Sequence, residues 1–467
     1  MLIYTAILKV ALFLSTKSTT NKGTGNPLPA TGNIPMKLWQ KDTTATSQLV
    51  ETFTVGKDKE FDAILAPFDV LGSKAHVQML TEVGLLTTEE NTAVQKELDT
   101  ILAEVSVAGF QLPDSVEDIH SYVELLLTER IGEAGKKIHT GRSRNDQVAV
   151  DIKLYLKSEV LTIKEETKRL FDLLINLSNQ HQNTLFPGYT HLQIAMPSSF
   201  GMWLGAYAES LVDDLEMLSA SYQITNKNPL GSGAGYGSSF PLNRTRTTEL
   251  LKFGTLNWNA VYAQMSRGKT EKAIASGISY IAASLSKLAY DCCLYMNQNF
   301  GFISFPSELT TGSSIMPHKK NPDVFELIRA KCNRIQSAPN ELTLLINNLP
   351  SGYHRDMQLT KEILFPAMED LKACLQMMQL MLSSMQVKEG ILNDEKYKYL
   401  FTVEAMNELV NKGVTYRDAY KEVGNAVEAG TFTYNYQQLH HTHEGSIGNL
   451  CNAQISEEMD KVLEKFA

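Results

Sequence analysis

Apolar residues recur at helical spacing along most of the chain, and in five stretches they do so over long spans. From Asp146 onward, Val148, Ile152, Tyr155, Val160, Ile163, Leu170, Leu174 and Leu177 mark one face. A span of about 30 residues with this period predicts a helix about 45 Å long. Phe200 to about Thr225 is a second such stretch. In the third, about Ser266 to Asn299, Ile274, Ile278, Ile281, Leu285, Leu288, Cys292 and Tyr295 repeat by fours and threes. About Pro322 to Asn348 and Thr360 to Gln386 are the last two. Stripes this regular read as core and helix–helix contact. Cys292 and the run Met377, Met378, Met381 and Met385 belong to that reading. Five long helices make a bundle. Helices longer than a domain is wide pack against copies of themselves, so a homo-oligomer is expected.

The flanks have a different texture. Residues 36 to about 140 read as short helices with turns between them. Asp69 to Leu80 has helical period, Thr87 starts another helix as cap with Glu90 three residues later, and Asp118 to about Leu127 continues in the same style. After about Val387 the chain returns to short helices. Strand patterns are nearly absent, so the expected fold is all-α. The expected division is an unstructured extension over 1–35, an N-terminal helical domain over 36–145, a central helix-bundle domain over 146–387 and a small C-terminal helical domain over 388–467.

Composition narrows the partners. The 467 residues are 43% hydrophobic and 20% charged with a net charge of −9, an ordinary soluble balance. No long basic run occurs, which argues against nucleic acid. The five cysteines, Cys292, Cys293, Cys332, Cys374 and Cys451, include no Cys-x-x-Cys pair. Free thiols in a reducing compartment fit better than disulfides or zinc, so a cytoplasmic location is expected. Leu2 to Leu14 is apolar but broken by Lys9 and too short to span a bilayer. Ser15 to Pro35 holds no acid and no Arg. The lead-in matches neither a secretory nor a transit signal, and Met36 begins sequence of normal texture. His440, His441 and His443 have no Cys or acid spaced with them as metal ligands, so a solvated cluster is expected and no metal.

The chemistry-bearing residues sit in the polar connections between long helices. Thr311-Gly-Ser-Ser-Ile-Met-Pro-His-Lys-Lys-Asn-Pro322 joins a loop rich in hydroxyls to a helix start. Gly312 and Pro317 disfavour a settled helix or strand. Asn321 can cap, and Asp323 and Glu326 suit a first turn. Backbone N–H groups, Lys319 and Lys320 favour an anion there, with Ser313 or Ser314 close enough to act on it. Lys136 to Gln147 offers Arg142 and Arg144 at a second helix start, capped by Asn145 or Asp146. Phe186 to Gln193 places Thr190 and His191 in a loop before the second long helix, where an imidazole can move protons near pH 7. Asn228 to Gly237 is glycine-rich without a Gly-Lys-Ser/Thr ending, and reads as close backbone approach to a ligand or neighbouring helix.

Gly141-Arg-Ser-Arg-Asn-Asp-Gln, Pro187-Gly-Tyr-Thr-His-Leu-Gln and Gly312-Ser-Ser-Ile-Met-Pro-His-Lys-Lys-Asn-Pro, in that order, resemble the argininosuccinate lyase family of the fumarase/aspartase superfamily. The likeness runs from about Trp39 to the C-terminus. It implies an all-α subunit of three domains, whose central five-helix bundle assembles into a homotetramer with a twenty-helix core. It also implies active sites collected from three subunits, no metal and no organic cofactor. The implied substrate is argininosuccinate, cleaved reversibly to arginine and fumarate. Carried over residue by residue, Ser313 is the base, Lys319 stabilises the aci-carboxylate intermediate and Asn321 orients it. His191 and Thr190 serve the acid side or position substrate, and Glu326 supports His191. Arg144 and Asn145 bind the succinate side, and Ser314 also contacts substrate. Tyr353, Gln358 and Lys361 contact the remainder of the substrate. Arg267 is carried over from a family segment whose acidic neighbours have no match in Met265-Ser-Arg-Gly-Lys. The counterpart of a substrate-binding Ser near Thr54 to Lys57 is likewise missing.

Overall fold

The computed structural model describes residues 48–436, 439 and 441–467. The expectations for residues 1–35, for Met36 and Trp39, and for His440 fall outside these residues. The chain divides into two compact units. One holds residues up to 163 with 220–276 and 337–368, and the other holds 164–219, 277–336 and 369–467. The three-domain division expected above partitions the chain differently.

Helices dominate, as the period demanded. The first long stripe is the helix Arg144–Gln180 and the second is Phe200–Thr225. The third is Lys269–Met296 and the last is Thr360–Ser383. Ile274, Ile278, Ile281, Leu285, Leu288 and Cys292 are each at most 1% exposed, so that stripe is core. Met378 and Met381 are buried too, but Met377 is 40% exposed and faces outward. All five cysteines are free thiols. No helix among the described residues is long and apolar enough to cross a membrane.

The fourth stretch is not one helix. It ends at Ile335 and restarts as Ala338–Leu345, with Pro339 in the new first turn. Proline has no N–H to continue the ladder, and its ring clashes with the carbonyl four residues back. There are also short strands that the pattern did not announce. Leu185–Thr190 and Gln193–Ser199 form an antiparallel hairpin with an irregularity between Pro187 and Tyr189.

In the first unit, Asp58–Glu82, Thr88–Val105 and Ile119–Ile131 enclose an apolar core that includes Val70, Val77, Leu80, Val94, Leu98, Ile101, Val123 and Leu127. The expected capping box holds: Glu90 N–H donates to Thr87 Oγ1 at 3.2 Å, and Thr87 N–H donates to Glu90 Oε2 at 3.0 Å. The start of Arg144–Gln180 joins this unit through Tyr155, which packs on Phe68 and Phe365 at centroid distances of 5.7 and 4.2 Å. In the second unit, Phe186 of the hairpin stacks on Phe200 at 4.4 Å and meets Trp203, Tyr295 and Phe302 edge-on. That aromatic cluster fixes the hairpin to its helices. A small satellite core of Met406, Ala419, Val423 and Phe432 lies under the C-terminal helices. His441 pairs there with Glu404 at 3.2 Å and with Ser446 at 2.7 Å, so it is bonded internally rather than left to solvent.

Candidate active site

The helix start at Arg144 is built differently from expectation. Ser143, not Asn145 or Asp146, occupies the capping position. Its Oγ accepts from Asn145 N–H at 3.3 Å, and Asp146 Oδ1 returns the bond to Ser143 N–H at 2.9 Å. The first-turn amides are thus partly satisfied by the protein's own side chains. Asp146 does more. Its Oδ2 accepts from Gly231 N–H at 3.0 Å and Gly233 N–H at 2.9 Å. Both glycines have positive φ, +81° and +60°, which a side chain would strain. The glycine-rich segment therefore approaches a neighbouring helix, one of its two sequence readings. Burial pushes the Asp146 carboxyl up to about 6, against the pull of these backbone donors. Arg142 donates to Ser73 Oγ at 2.9 Å.

Within the first unit, Arg144, Asn145, Arg267, Tyr353, Gln358 and Lys361 all line one cavity of about 200 Å³. Six positions scattered between residues 144 and 361 thus meet at one cavity. Val55, Asp58, Asp62, Glu117, Asp118, His120, Val148 and Arg355 complete the wall. Arg144 pairs with Asp118 at 3.0 Å and with Glu117 at 3.5 Å, and donates to Ser121 Oγ at 2.6 Å. Lys361 sits between two carboxylates, bonding Asp62 at 3.1 Å and also pairing with Asp58. Gln358 donates to the carbonyls of Thr54 and Val55 at 3.1 and 3.0 Å, which ties the segment from Thr54 to Lys57 to the cavity. Arg267 lacks the acidic neighbours of the family segment, yet Glu271 one turn later replaces them at 3.0 Å.

His120 is a cavity residue that the sequence reading passed over as part of a helix. Its Nδ1 is 2.6 Å from Asp69 Oδ1 and 3.8 Å from Asp151 Oδ2. Burial works against its charge, but Asp69, Asp118 and Asp151 outweigh it and raise the pKa to about 10. The group is an imidazolium at neutral pH, and a full positive charge beside the cavity. Asp118 caps the helix Ile119–Ile131 by accepting from Ser121 N–H at 2.7 Å. Burial would raise its carboxyl, yet His120 and Arg144 hold it below the ordinary range. The Asp118-Ile-His120 spacing was a readable signal, because an acid that caps a helix is followed two residues on by an imidazole.

The other site residues belong to the second unit. Thr311–Gly312 pairs antiparallel with Lys320–Asn321, so both ends of the signature segment are short strands rather than open loop. This pairing extends the backbone at Asn321, whose side-chain amide donates to Gly312 O at 3.4 Å. Pro322 consequently takes the capping position and Asp323 begins the helix, a correction to the expected cap at Asn321. Between the strands, Ser313 Oγ accepts from Met316 N–H at 3.1 Å and Ile315 N–H at 3.4 Å. Two amides aimed at one hydroxyl oxygen are placed to favour negative charge on it. Ser314, Lys319 and Glu326 are exposed. Thr190 and His191 are exposed at the tip of the hairpin Leu185–Ser199. His191 and Leu192 form its two-residue turn with φ of +54° and +59°. A turn of that hand matches strand twist but usually employs Asn and Gly. Holding a His there stores strain of about 1 kcal/mol or more at a candidate functional position. In one chain, no hydrogen bond or ion pair joins His191 to Glu326.

A family model described as Lyase matches residues 40–337. Argininosuccinate lyase of Bacteroides thetaiotaomicron is 56% identical over 433 residues, covering 93% of this chain and 97% of that protein. The enzyme of the same name from Parabacteroides distasonis is 56% identical over 434 residues, with 93% and 97% covered. That from Desulforamulus reducens is 41% identical over 397 residues, with 84% and 85% covered. Among solved structures, EDDS lyase in complex with formate matches with a TM-score of 0.71 at 22% identity, covering 91% of each chain. A fumarate lyase:delta crystallin from Brucella melitensis matches with a TM-score of 0.67 at 17% identity, covering 87% of this chain and 92% of that one. These structures share the mostly helical fold. With the motifs gathered at the cavity and at the paired strands, and with identity sustained over most of its length, the chain belongs to the argininosuccinate lyase family of the fumarase/aspartase superfamily.

Proposed function

We infer that this chain is an argininosuccinate lyase, which cleaves argininosuccinate reversibly to arginine and fumarate as the last step of arginine biosynthesis. The observation that carries the reading is the 56% identity with the Bacteroides thetaiotaomicron enzyme over 433 residues. In the elimination, a base takes a proton from the carbon next to a succinate carboxylate. The electron pair moves onto that carboxylate as an aci dianion, then returns to form the double bond of fumarate as the C–N bond to the guanidinium breaks. Ser313 is the base in this reading, and the two amides that donate to its Oγ favour the alkoxide. Lys319 accepts the charge that builds on the carboxylate, and Asn321 orients it. His191, held at the hairpin tip with Thr190 and supported by Glu326, serves the acid side. Arg144, Asn145 and Arg267, with Ser314, hold the substrate carboxylates. Tyr353, Gln358 and Lys361 hold the arginine end. No metal or organic cofactor has a step to perform.

The same reading includes the three-domain subunit and the homotetramer, with each site assembled from more than one subunit. It is supported by the exposure of His191, Lys319 and Glu326 in the single chain. Apolar side chains left outside on long helices, Met202, Met217, Tyr280 and Tyr290, each between 37% and 50% exposed, point the same way. Five free thiols suit the cytoplasm.

Purified protein mixed with argininosuccinate is expected to show rising fumarate absorbance. No product at any pH overturns the reading. Ser313→Ala is expected to lower turnover by at least about 1000-fold with folding intact, since it removes the reacting base. A variant retaining wild-type turnover rejects Ser313 in that role.

A further inference from the structure

Two of the five thiols meet between neighbouring helices, away from the cavity. Cys332 lies near the end of the helix Asp323–Ile335, and Cys374 lies within Thr360–Ser383. Asp370, one turn before Cys374, ties the two helices at that level: it pairs with Lys331 at 2.6 Å and also with Arg334. Beneath this ion pair Cys332 is 0% exposed and Cys374 is 2% exposed. Cys332 donates its S–H to Cys374 Sγ, so the two sulfurs are in contact. The other thiols are arranged differently. Cys292 and Cys293 are neighbours on one helix, where adjacent side chains do not face each other, and Cys451 Sγ is directed at Asn449 O.

The two sulfurs are also unequal. The bond received from Cys332, helped by the charge of Lys331, holds the Cys374 thiol below its ordinary value against the effect of burial. The same bond and burial raise Cys332. Burial alone leads the other way at Cys293, which is pushed up to about 11. The thiolate is the form that reacts with peroxides, so Cys374 is the attacking sulfur and Cys332 the one beside it that completes the reaction. The side chains next to the pair, Lys331 and Arg334, are 42% and 70% exposed. Exposed ion pairs of this kind are weak, and their opening gives a small oxidant a short way in.

We propose that Cys332 and Cys374 form a reversible redox modification site, in which a hydroperoxide converts the thiol pair to a disulfide joining the two helices. The Cys374 thiolate attacks the terminal peroxide oxygen, the O–O bond breaks, and the alkoxide leaves and is protonated to an alcohol, or to water when the oxidant is hydrogen peroxide. Cys374 is then a sulfenic acid. Cys332 sulfur attacks it, the S–S bond forms, and the hydroxyl leaves with the Cys332 proton as water. The two thiols lose two electrons and the peroxide gains them. A small dithiol reverses the step by becoming a disulfide itself. The proposal is independent of the lyase reading, since neither cysteine has a part in the elimination.

The test treats the full-length reduced protein with hydrogen peroxide, blocks remaining thiols with N-ethylmaleimide and maps its peptides without reduction. A peptide pair joined through Cys332 and Cys374, lighter by two hydrogens and separated again by dithiothreitol, is expected. The Cys374 thiol is expected to disappear at least about tenfold faster than that of Cys292. Cys332→Ser removes the resolving sulfur, so Cys374 is expected to accumulate as sulfenic acid that dimedone labels. Cys374→Ser is expected to leave Cys332 labelled about tenfold less. The peptide map of the unmutated protein needs neither variant to fold. Both thiols recovered intact after the other cysteines have oxidised, or a cross-link that joins either one to a different cysteine, overturns the proposal. Equal dimedone labelling in the two variants overturns the assignment of Cys374 as the attacking sulfur.

Discussion

His120 keeps its proton because carboxylates surround it on three sides. Asp69 on the helix Asp58–Glu82, Asp118 just ahead of its own helix, and Asp151 on the helix Arg144–Gln180 outweigh the cost of burial. The folded pKa of about 10 lies above the ordinary value of 6.5. The stabilisation is therefore complete below about pH 6.5 and is lost as pH rises toward 10. Urea unfolding across that window is expected to show wild-type stability falling by at most about 1.4 kcal/mol per pH unit. Asp69→Asn removes the nearest carboxylate and is expected to flatten the profile; an equally steep profile in the variant would assign the charge to another partner. Only the Asp118–His120 spacing was legible locally, since His120 and Asp69 are 51 positions apart in the chain. The segment from Ser313 to Asn321 could be singled out in the sequence because it is continuous. The bond of Arg142 to Ser73 was not legible, because a basic residue at a helix start gives no sign of which way it turns.

At the scale of elements, the long helices were readable because burial on one face writes a period into the sequence. The hairpin was not. Pro187 and Gly188 disfavour a strand, and His191-Leu192 lacks the Asn-Gly signature of a tight turn. The hairpin instead depends on Phe186, which is 2% exposed and surrounded by Phe200, Trp203, Tyr295 and Phe302. Phe186→Ala is expected to cost about 3–5 kcal/mol in stability. Because the residue anchors the strand that leads to Thr190 and His191, turnover is expected to fall even at temperatures where the variant stays folded. Denaturation curves and activity on the same samples check both outcomes, and full activity would separate the hairpin from catalysis. The break at Ser337 is a comparable case, where a continuing apolar stripe concealed a proline that stops the helix.

For the whole molecule, composition and texture separated a bundle region from its flanks. They did not reveal that residues 220–276 and 337–368 join the first 163 residues in one compact unit. That relation lives in packing between segments far apart in sequence, such as Tyr155 against Phe365 and Gln358 against Thr54. Oligomer formation was expected from helix length and from the family resemblance. Sedimentation of the native protein is expected to give about four times the mass of one chain. A monomeric species with full activity would remove the need for sites shared between copies.

The two short strands flanking Ser313 to Lys319 have a mechanical consequence. Thr311 faces Asn321 and Gly312 faces Lys320, so the segment is pinched at its base like the neck of a bag. Bending at that neck carries the serine and the lysine through space as one cargo. The proposed base and the lysine proposed to shelter the resulting charge would then reach a ligand on the same stroke.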